Sequence, residues 1–227
     1  MVVFVYKCCV GFMEICIKPA FSDIFWILKG KYIKLSYFLL GMDRAVEDKT
    51  ILDVFVEDFV RVIEEYAKYA VVSGFVAIAH GRTRGTEDVD VIISRVSKDV
   101  FKTIHAALDA EGFECIQSSN PETIYDSYLK TGDSVRYVRK GVLVPEMELK
   151  LAKDELDDYQ LLTRKQFALT GLDIYFSSIE MNIAFKEELL KSDKDLEDAA
   201  HLRKVYEGKI SEAEIKKIKG MIRRVRL

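Results

Sequence analysis

Only three prolines are scattered through the 227 residues, and no stretch rich in proline, glycine and serine divides them. No internal repeat and no low-complexity segment is present, which excludes solenoids, propellers and tethered arrays. A single domain with a small appendage is the expected organisation. Cysteine is sparse. Of Cys8, Cys9, Cys16 and Cys115, three crowd into the first sixteen residues, and none stands with histidine at zinc-ligand spacing. A zinc ribbon is thereby excluded, and a disulfide scaffold does not suit a chain this rich in Lys and Glu. Reduced thiols and a cytoplasmic setting are expected.

Long hydrophobic runs are missing as well. A membrane helix needs about 18 uninterrupted apolar residues, and Lys7, Glu14, Lys18, Asp23, Lys29, Lys31 and Lys34 break up the most apolar segment, 1–41. Met1 to Val5 carries no basic region, and no small-residue cleavage site follows, so a standard signal peptide is excluded. Nor is there an excess of charge of either sign: 34 Lys and Arg face 37 Asp and Glu, net −3. Bulk charge gives no support for a general nucleic-acid binder.

What is present divides at Met42. Residues 1–41 are apolar and aromatic, whereas MDRAVEDKTILDVF reads like an ordinary soluble N-terminus. Two expectations stand side by side. Either translation begins at Met42 and 1–41 is a mis-assigned start, or 1–41 forms a hairpin or membrane-surface appendage to a domain spanning 42–227.

Within 42–227 the periodicity predicts a helix from Ile51 to Tyr69, with an apolar stripe through Leu52, Phe55, Val56, Phe59, Val62, Ile63 and Tyr66. A second helix runs from Ser97, its N-cap, to Glu111, with Gly112 ending it. His105 within it reads as a packed or solvated side chain. Strand-like runs fall at Phe113–Ile116, Val135–Val138 and Leu143–Leu151, a short helix at Pro121–Leu129 and a polar helix at Asp154–Gln166. Phe167–Phe176 reads as strand-turn-strand. Helices follow from about 178: Ile179–Leu190, then the Lys194–Leu202 region, with Lys194 and Asp198 spaced for an i,i+4 pair. The last is Ser211–Arg226, with Ser211 and Glu214 in capping-box positions. Its end carries Lys216, Lys217, Lys219, Arg223, Arg224 and Arg226, either a solvated face complementing the helix dipole or an RNA or partner contact.

The chemistry concentrates in Val71–Ile93, VVSGFVAIAHGRTRGTEDVDVII. A short apolar strand leads into a Ser73-Gly74 turn and a brief helix, then a basic loop, then a strand carrying Asp88-Val89-Asp90. Residues i and i+2 of a strand share a face, so Asp88 and Asp90 project side by side while Val89 and Val91 face a core. Like charges on one strand face are destabilising. A hard divalent cation relieves the repulsion, and Mg²⁺ takes one or two carboxylates plus substrate phosphates. Backbone N–H groups of a glycine turn at a helix start suit phosphate.

Ser73-Gly74, Ala77, His80-Gly81, Arg84, Thr86 and Asp88-Val89-Asp90 together resemble the stand-alone nucleotidyltransferases of the DNA-polymerase-beta-like superfamily, in particular the small prokaryotic group with abortive-infection and minimal members. The turn departs from the family's Gly-Ser order. A second match lies about a hundred residues on, where Lys194-Asp195-Leu196-Glu197-Asp198 resembles the Lys-Asp-Leu-x-Asp helix of the same proteins. The resemblance implies an α/β (α+β) nucleotidyltransferase fold, with a mixed, mostly antiparallel sheet flanked by helices and a helical C-terminal part. It implies Asp88 and Asp90 as catalytic metal ligands and a third carboxylate on a later strand, with Glu148 first and Asp173 second by position. Ser73, Gly74, Arg84 and Thr86 are implied nucleotide-binding residues, joined by Lys186 or Lys194; Arg84 serves equally well as a structural ion-pair partner.

Implied with these are Mg²⁺ (or Mn²⁺), an NTP such as ATP as substrate, and transfer of its NMP to a hydroxyl on protein, RNA or a small molecule. Two other readings stay open: a catalytically inactive module of this fold binding a partner, such as a toxin–antitoxin component, and a nucleotide sensor without turnover.

Overall fold

A computed structural model describes residues 49–227 and, before them, the backbone of four strands. These are β1 (Val2–Cys8), β2 (Gly11–Ile17), β3 (Ile24–Leu28) and β4 (Lys31–Leu35), an antiparallel meander in the order β1-β2-β3-β4. This unit, Met1–Asp43, is separate from the body Arg44–Leu227. The expectations of a start at Met42 or a surface appendage lie outside the described residues.

The body is α+β. Helix α1 (Ile51–Glu64) opens on a reciprocal cap: Asp53 N donates to Thr50 Oγ1, and Thr50 N to the Asp53 carboxylate. It ends five residues before the expected Tyr69. Tyr66 N and Ala67 N both turn back onto the Ile63 carbonyl, and Tyr69 already belongs to strand β5 (Tyr69–Val72), buried throughout. After β5 come α2 (Gly74–Ala79), β6 (Asp88–Ile93), α3 (Lys98–Ala110), β7 (Phe113–Cys115), α4 (Pro121–Ser127), β8 (Val135–Arg139) and β9 (Glu146–Leu151). The five strands form one sheet in the order β5-β6-β9-β8-β7. Only the β6–β9 pair is parallel, so the sheet is mixed and mostly antiparallel, as expected.

Alternation along the strands makes the two faces unlike. Val89, Val91, Ile93, Val135, Tyr137, Met147 and Leu149 turn into the main core with α1 and α3. There Phe59 meets Phe113 edge-on at 5.1 Å and Tyr137 at 5.5 Å. His105 on α3 bonds the Tyr137 hydroxyl at 2.9 Å and is a packed side chain. The opposite face has a small apolar cluster, Ala70, Val72, Ile92, Ala152 and Leu161, beside a patch of charge.

Four helices complete the body: α5 (Glu155–Leu162), α6 (Ile179–Phe185), α7 (Asp193–Val205) and α8 (Glu212–Val225). The strand-turn-strand expected over 167–176 does not form. The Thr170 hydroxyl donates to the Phe167 carbonyl and accepts from Leu172 N. That closes a 3-10 turn at Ala168–Thr170 in place of a ladder, leaving Phe176 with single bridges to Val71 and Lys165. The capping box of α8 forms by half. Ser211 Oγ accepts from Glu214 N, but the Glu214 carboxylate goes to the Tyr159 hydroxyl, and Ser211 N donates to Glu180.

Five of the six cations at the basic end of α8 pair within the chain, and Lys216 is exposed. Lys217 pairs with Glu214, Lys219 with Glu187, Arg223 with Glu188, Arg224 with Glu155, and Arg226 with Asp154 and Asp157. Phe59→Ala, which empties the junction of three rings, should destabilise the protein by about 3–5 kcal/mol. Urea denaturation checks it.

Candidate active site

The register of three strands sets the floor of the site. Val72 lies opposite Asp90, and on the other side Asp88 pairs with Glu146, Asp90 with Glu148 and Ile92 with Lys150. Register partners point to the same side of a sheet. Asp88, Asp90, Glu146, Glu148 and Lys150 therefore share the face opposite the main core. Asp90 is half-buried: burial pushes its carboxyl up, Glu148 and Asp88 add to the rise, and Ser73 and Lys150 oppose it. Thr86 orients Asp88, its hydroxyl donating at 2.9 Å to the Asp88 carboxylate.

Glu148, expected as the third carboxylate, stands in register beside Asp90 but is drawn toward the next strand. Arg136 Nε lies 3.4 Å from Glu146 and 3.6 Å from Glu148. Among the described residues no three His, Cys, Asp or Glu side chains converge as a ready metal cage. The donor set nonetheless fits a hard cation. Asp88 and Asp90 offer oxygen ligands from one strand face, and Mg²⁺ is suited by one or two carboxylates when phosphates complete its shell. Asp173 stands elsewhere, exposed and bonded to Gln166.

Above this floor is the turn from β5 to α2. Ser73 sits at φ 65°, ψ −136°, a conformation that costs a non-glycine residue on the order of 1–3 kcal/mol. Gly74 is required by close approach, since a Cβ there would come within 2.5 Å of Arg84 Nη2. Arg84 cannot retreat because its Nη1 donates to Asp198 Oδ2 at 2.6 Å. Asp198 also accepts from Arg82 Nε at 2.7 Å and from Lys186 Nζ at 2.9 Å. The carboxylate is 0% exposed and the Lys186 side chain 1%. The expected i,i+4 pair of Lys194 with Asp198 is absent because three other cations hold the carboxylate. Lys194 itself is exposed on α7.

His80, which follows α2, is enclosed by Phe167, Phe176 and Tyr206. Burial pushes its pKa down to about 4, against the opposing pull of the Val76 carbonyl, with His201 lowering it further.

Beside Asp90 opens a cleft of about 280 Å³, near the lower bound of small-ligand pockets, about 300 Å³. Its charged and polar wall is Ser73, Asp90, Lys150, Lys186, Arg226, Gln160 and Asn182. The apolar wall rests largely on Met181, Phe185, Leu189 and Leu190. A four-residue repeat drifts around a 3.6-residue helix, but after α6 the chain widens into a π turn, Lys186–Leu190. That wider turn offsets the drift and keeps Met181, Phe185 and Leu189, and beside them Asn182, Lys186 and Leu190, facing the cleft. Of the two lysines expected near a nucleotide, Lys186 lines this cleft. Arg136, Lys150, Gln160, Asn182 and Arg226 escaped sequence reasoning, although the Glu146-x-Glu148-x-Lys150 alternation already put Lys150 on the acidic face.

No family model and no curated protein matches the chain. Among solved structures it is similar to the antibiotic-resistance factor ANT(2'')-Ia, at 12% identity and TM-score 0.46, over 76% of this chain and 91% of that one. It is also similar to an antigenic nucleotidyltransferase-like protein from Paracoccidioides brasiliensis, at 15% identity and TM-score 0.45, over 77% and 88% respectively.

Asp198→Ala leaves Arg84 without its anion and Lys186 with Asp195 alone, and should cost about 3–5 kcal/mol in urea denaturation. A second outcome follows from His80. Its folded pKa lies near 4 and the ordinary value is 6.5, so the unfolded chain takes up a proton first as pH falls. This contribution is complete above about pH 6.5 and is lost between there and about pH 4, by on the order of 3 kcal/mol. His80→Phe, measured by denaturation across that window, should flatten the loss.

Proposed function

We propose that the protein transfers a nucleoside monophosphate from an NTP to a hydroxyl acceptor and releases pyrophosphate. The observation that carries this reading is the Asp88/Asp90 pair on one face of β6, beside a strained Ser73-Gly74 turn and a cleft whose wall includes Lys186. Two like charges on a strand face gain the fold nothing; a cation-bound polyphosphate supplies the missing counter-charge. Asp88 and Asp90 would hold Mg²⁺, or Mn²⁺, which as a Lewis acid would supply charge stabilisation at the phosphates.

The chain's own residues do the rest. Thr86 fixes the rotamer of Asp88, and Ser73 and Gly74 bring backbone to the phosphates. Arg84 holds the Gly74 turn in place through Asp198 and acts by positioning. The acceptor oxygen bonds to the α-phosphorus as the α–β bridge breaks, and pyrophosphate leaves with the electron pair. The hydroxyl proton passes to a carboxylate of the acidic face that does not hold the cation, Glu148 being the one in register beside Asp90. Glu148 takes part only when Arg136 releases it.

That same ion pair favours a second reading, a module that keeps the fold without transfer and binds a partner, as in a toxin–antitoxin system. Arg136 occupies the carboxylate that a second metal position would need. Calorimetry with ATP, GTP, CTP and UTP, with and without Mg²⁺, separates the two. Transfer requires Mg²⁺-dependent binding of at least one NTP, weakened at least tenfold in Asp88→Asn/Asp90→Asn. A folded protein that binds none of the four supports the second reading.

A further inference from the structure

Three cations line the cleft, Lys150, Lys186 and Arg226, and two of them are already committed. Lys186 is held by Asp195 and Asp198 at 3.2 and 2.9 Å. Arg226 is held by Asp154 and Asp157 at 2.8 and 2.9 Å. Drawing either from its buried partner leaves that carboxylate less compensated, so neither turns readily toward a ligand.

Lys150 is different. Its nearest sequence partner on the same face is Glu148, two residues back, and in an isolated strand those two would neutralise each other. Here Arg136, directly across from Glu148 on β8, takes up both Glu146 and Glu148. Lys150 is left with no carboxylate within ion-pair distance among the described residues, half-buried and one register step beyond Asp90. An unpaired ammonium in a partly enclosed cleft is an anion site in waiting, and its flexible stem lets it follow a moving phosphate.

We infer that Lys150 is the side chain that binds the phosphate chain of the nucleotide, with Lys186 and Arg226 serving as fixed walls. The inference rests on the nucleotide-transfer reading and adds to it the group that recognises the polyphosphate. It also gives Arg136 a purpose: by holding the two glutamates it keeps Lys150 free.

The test is calorimetric titration of the full chain with Mg²⁺ and ATP, ADP, AMP or pyrophosphate, on wild type, Lys150→Met and Lys150→Arg. A charge-assisted contact predicts that Lys150→Met loses about ten- to a hundredfold in ATP affinity. The loss shrinks from ATP to ADP and nearly vanishes for AMP, and Lys150→Arg recovers most of it. A comparable loss for pyrophosphate places the contact on the β- and γ-phosphates, which become the leaving group. Wild-type binding that Lys150→Met leaves unchanged, or an equal loss for ATP and AMP, overturns the inference while the nucleotide reading survives. Absence of any binding by wild type overturns both.

Discussion

The carboxylate of Asp198 has no solvent exposure, yet three cations from two distant stretches of the chain reach it: Arg82 and Arg84 from the loop after α2, and Lys186 from the end of α6. A lone carboxylate in such a place would be costly; fully paired, it becomes a specific joint. Through it the basic loop, the Gly74 turn and the π turn are held to α7, and the cleft owes its shape to that connection. Arg84 cannot shift because Asp198 holds it, Gly74 cannot gain a side chain because Arg84 fills the space, and Ser73 carries the backbone strain next door.

The acidic face follows a different logic. Strand register alone brings four carboxylates together, and the fold partly answers them with Arg136 and Lys150. Arg136 is placed across from Glu148 and reaches Glu146 as well, while Lys150 meets no carboxylate. The result is an uneven neutralisation. Among the described residues Asp88 and Asp90 have no cation within ion-pair distance, Glu148 lies 3.6 Å from Arg136, and one lysine beside them is unpaired. Such local imbalance, in a chain otherwise rich in satisfied ion pairs, is what separates a site from a solvated strand face.

Much of this was legible in the sequence because it depends on local pattern. The i,i+2 spacing of Asp88 and Asp90 fixes their common face, and the stripe in Ile51–Glu64 and the cap at Ser97 mark helices. The elements that eluded sequence reasoning depend on distant partners. Nothing near Asp198 in sequence announces Arg82 and Arg84, over a hundred residues earlier, so an i,i+4 pair with Lys194 was the natural local expectation. The basic end of α8 resembles a partner-binding patch until Glu187, Glu188, Glu155, Asp154 and Asp157 arrive from other helices. Residues 167–176 carry strand-like composition, but the Thr170 hydroxyl closes a local turn. The freedom of Lys150 is likewise a tertiary result, since only the β8–β9 register hands Glu148 to Arg136.

The fate of labelled phosphate distinguishes nucleotidyl transfer from other uses of an NTP. The protein is incubated with Mg²⁺, a cell extract as the source of acceptors, and an NTP labelled at either the α- or the γ-phosphate. Nucleotidyl transfer predicts that α-label becomes attached to an acceptor while γ-label emerges as pyrophosphate, both only with intact Asp88 and Asp90. Attachment of the γ-label, or label transfer that persists in Asp88→Asn/Asp90→Asn, would contradict nucleotidyl transfer at this acidic face.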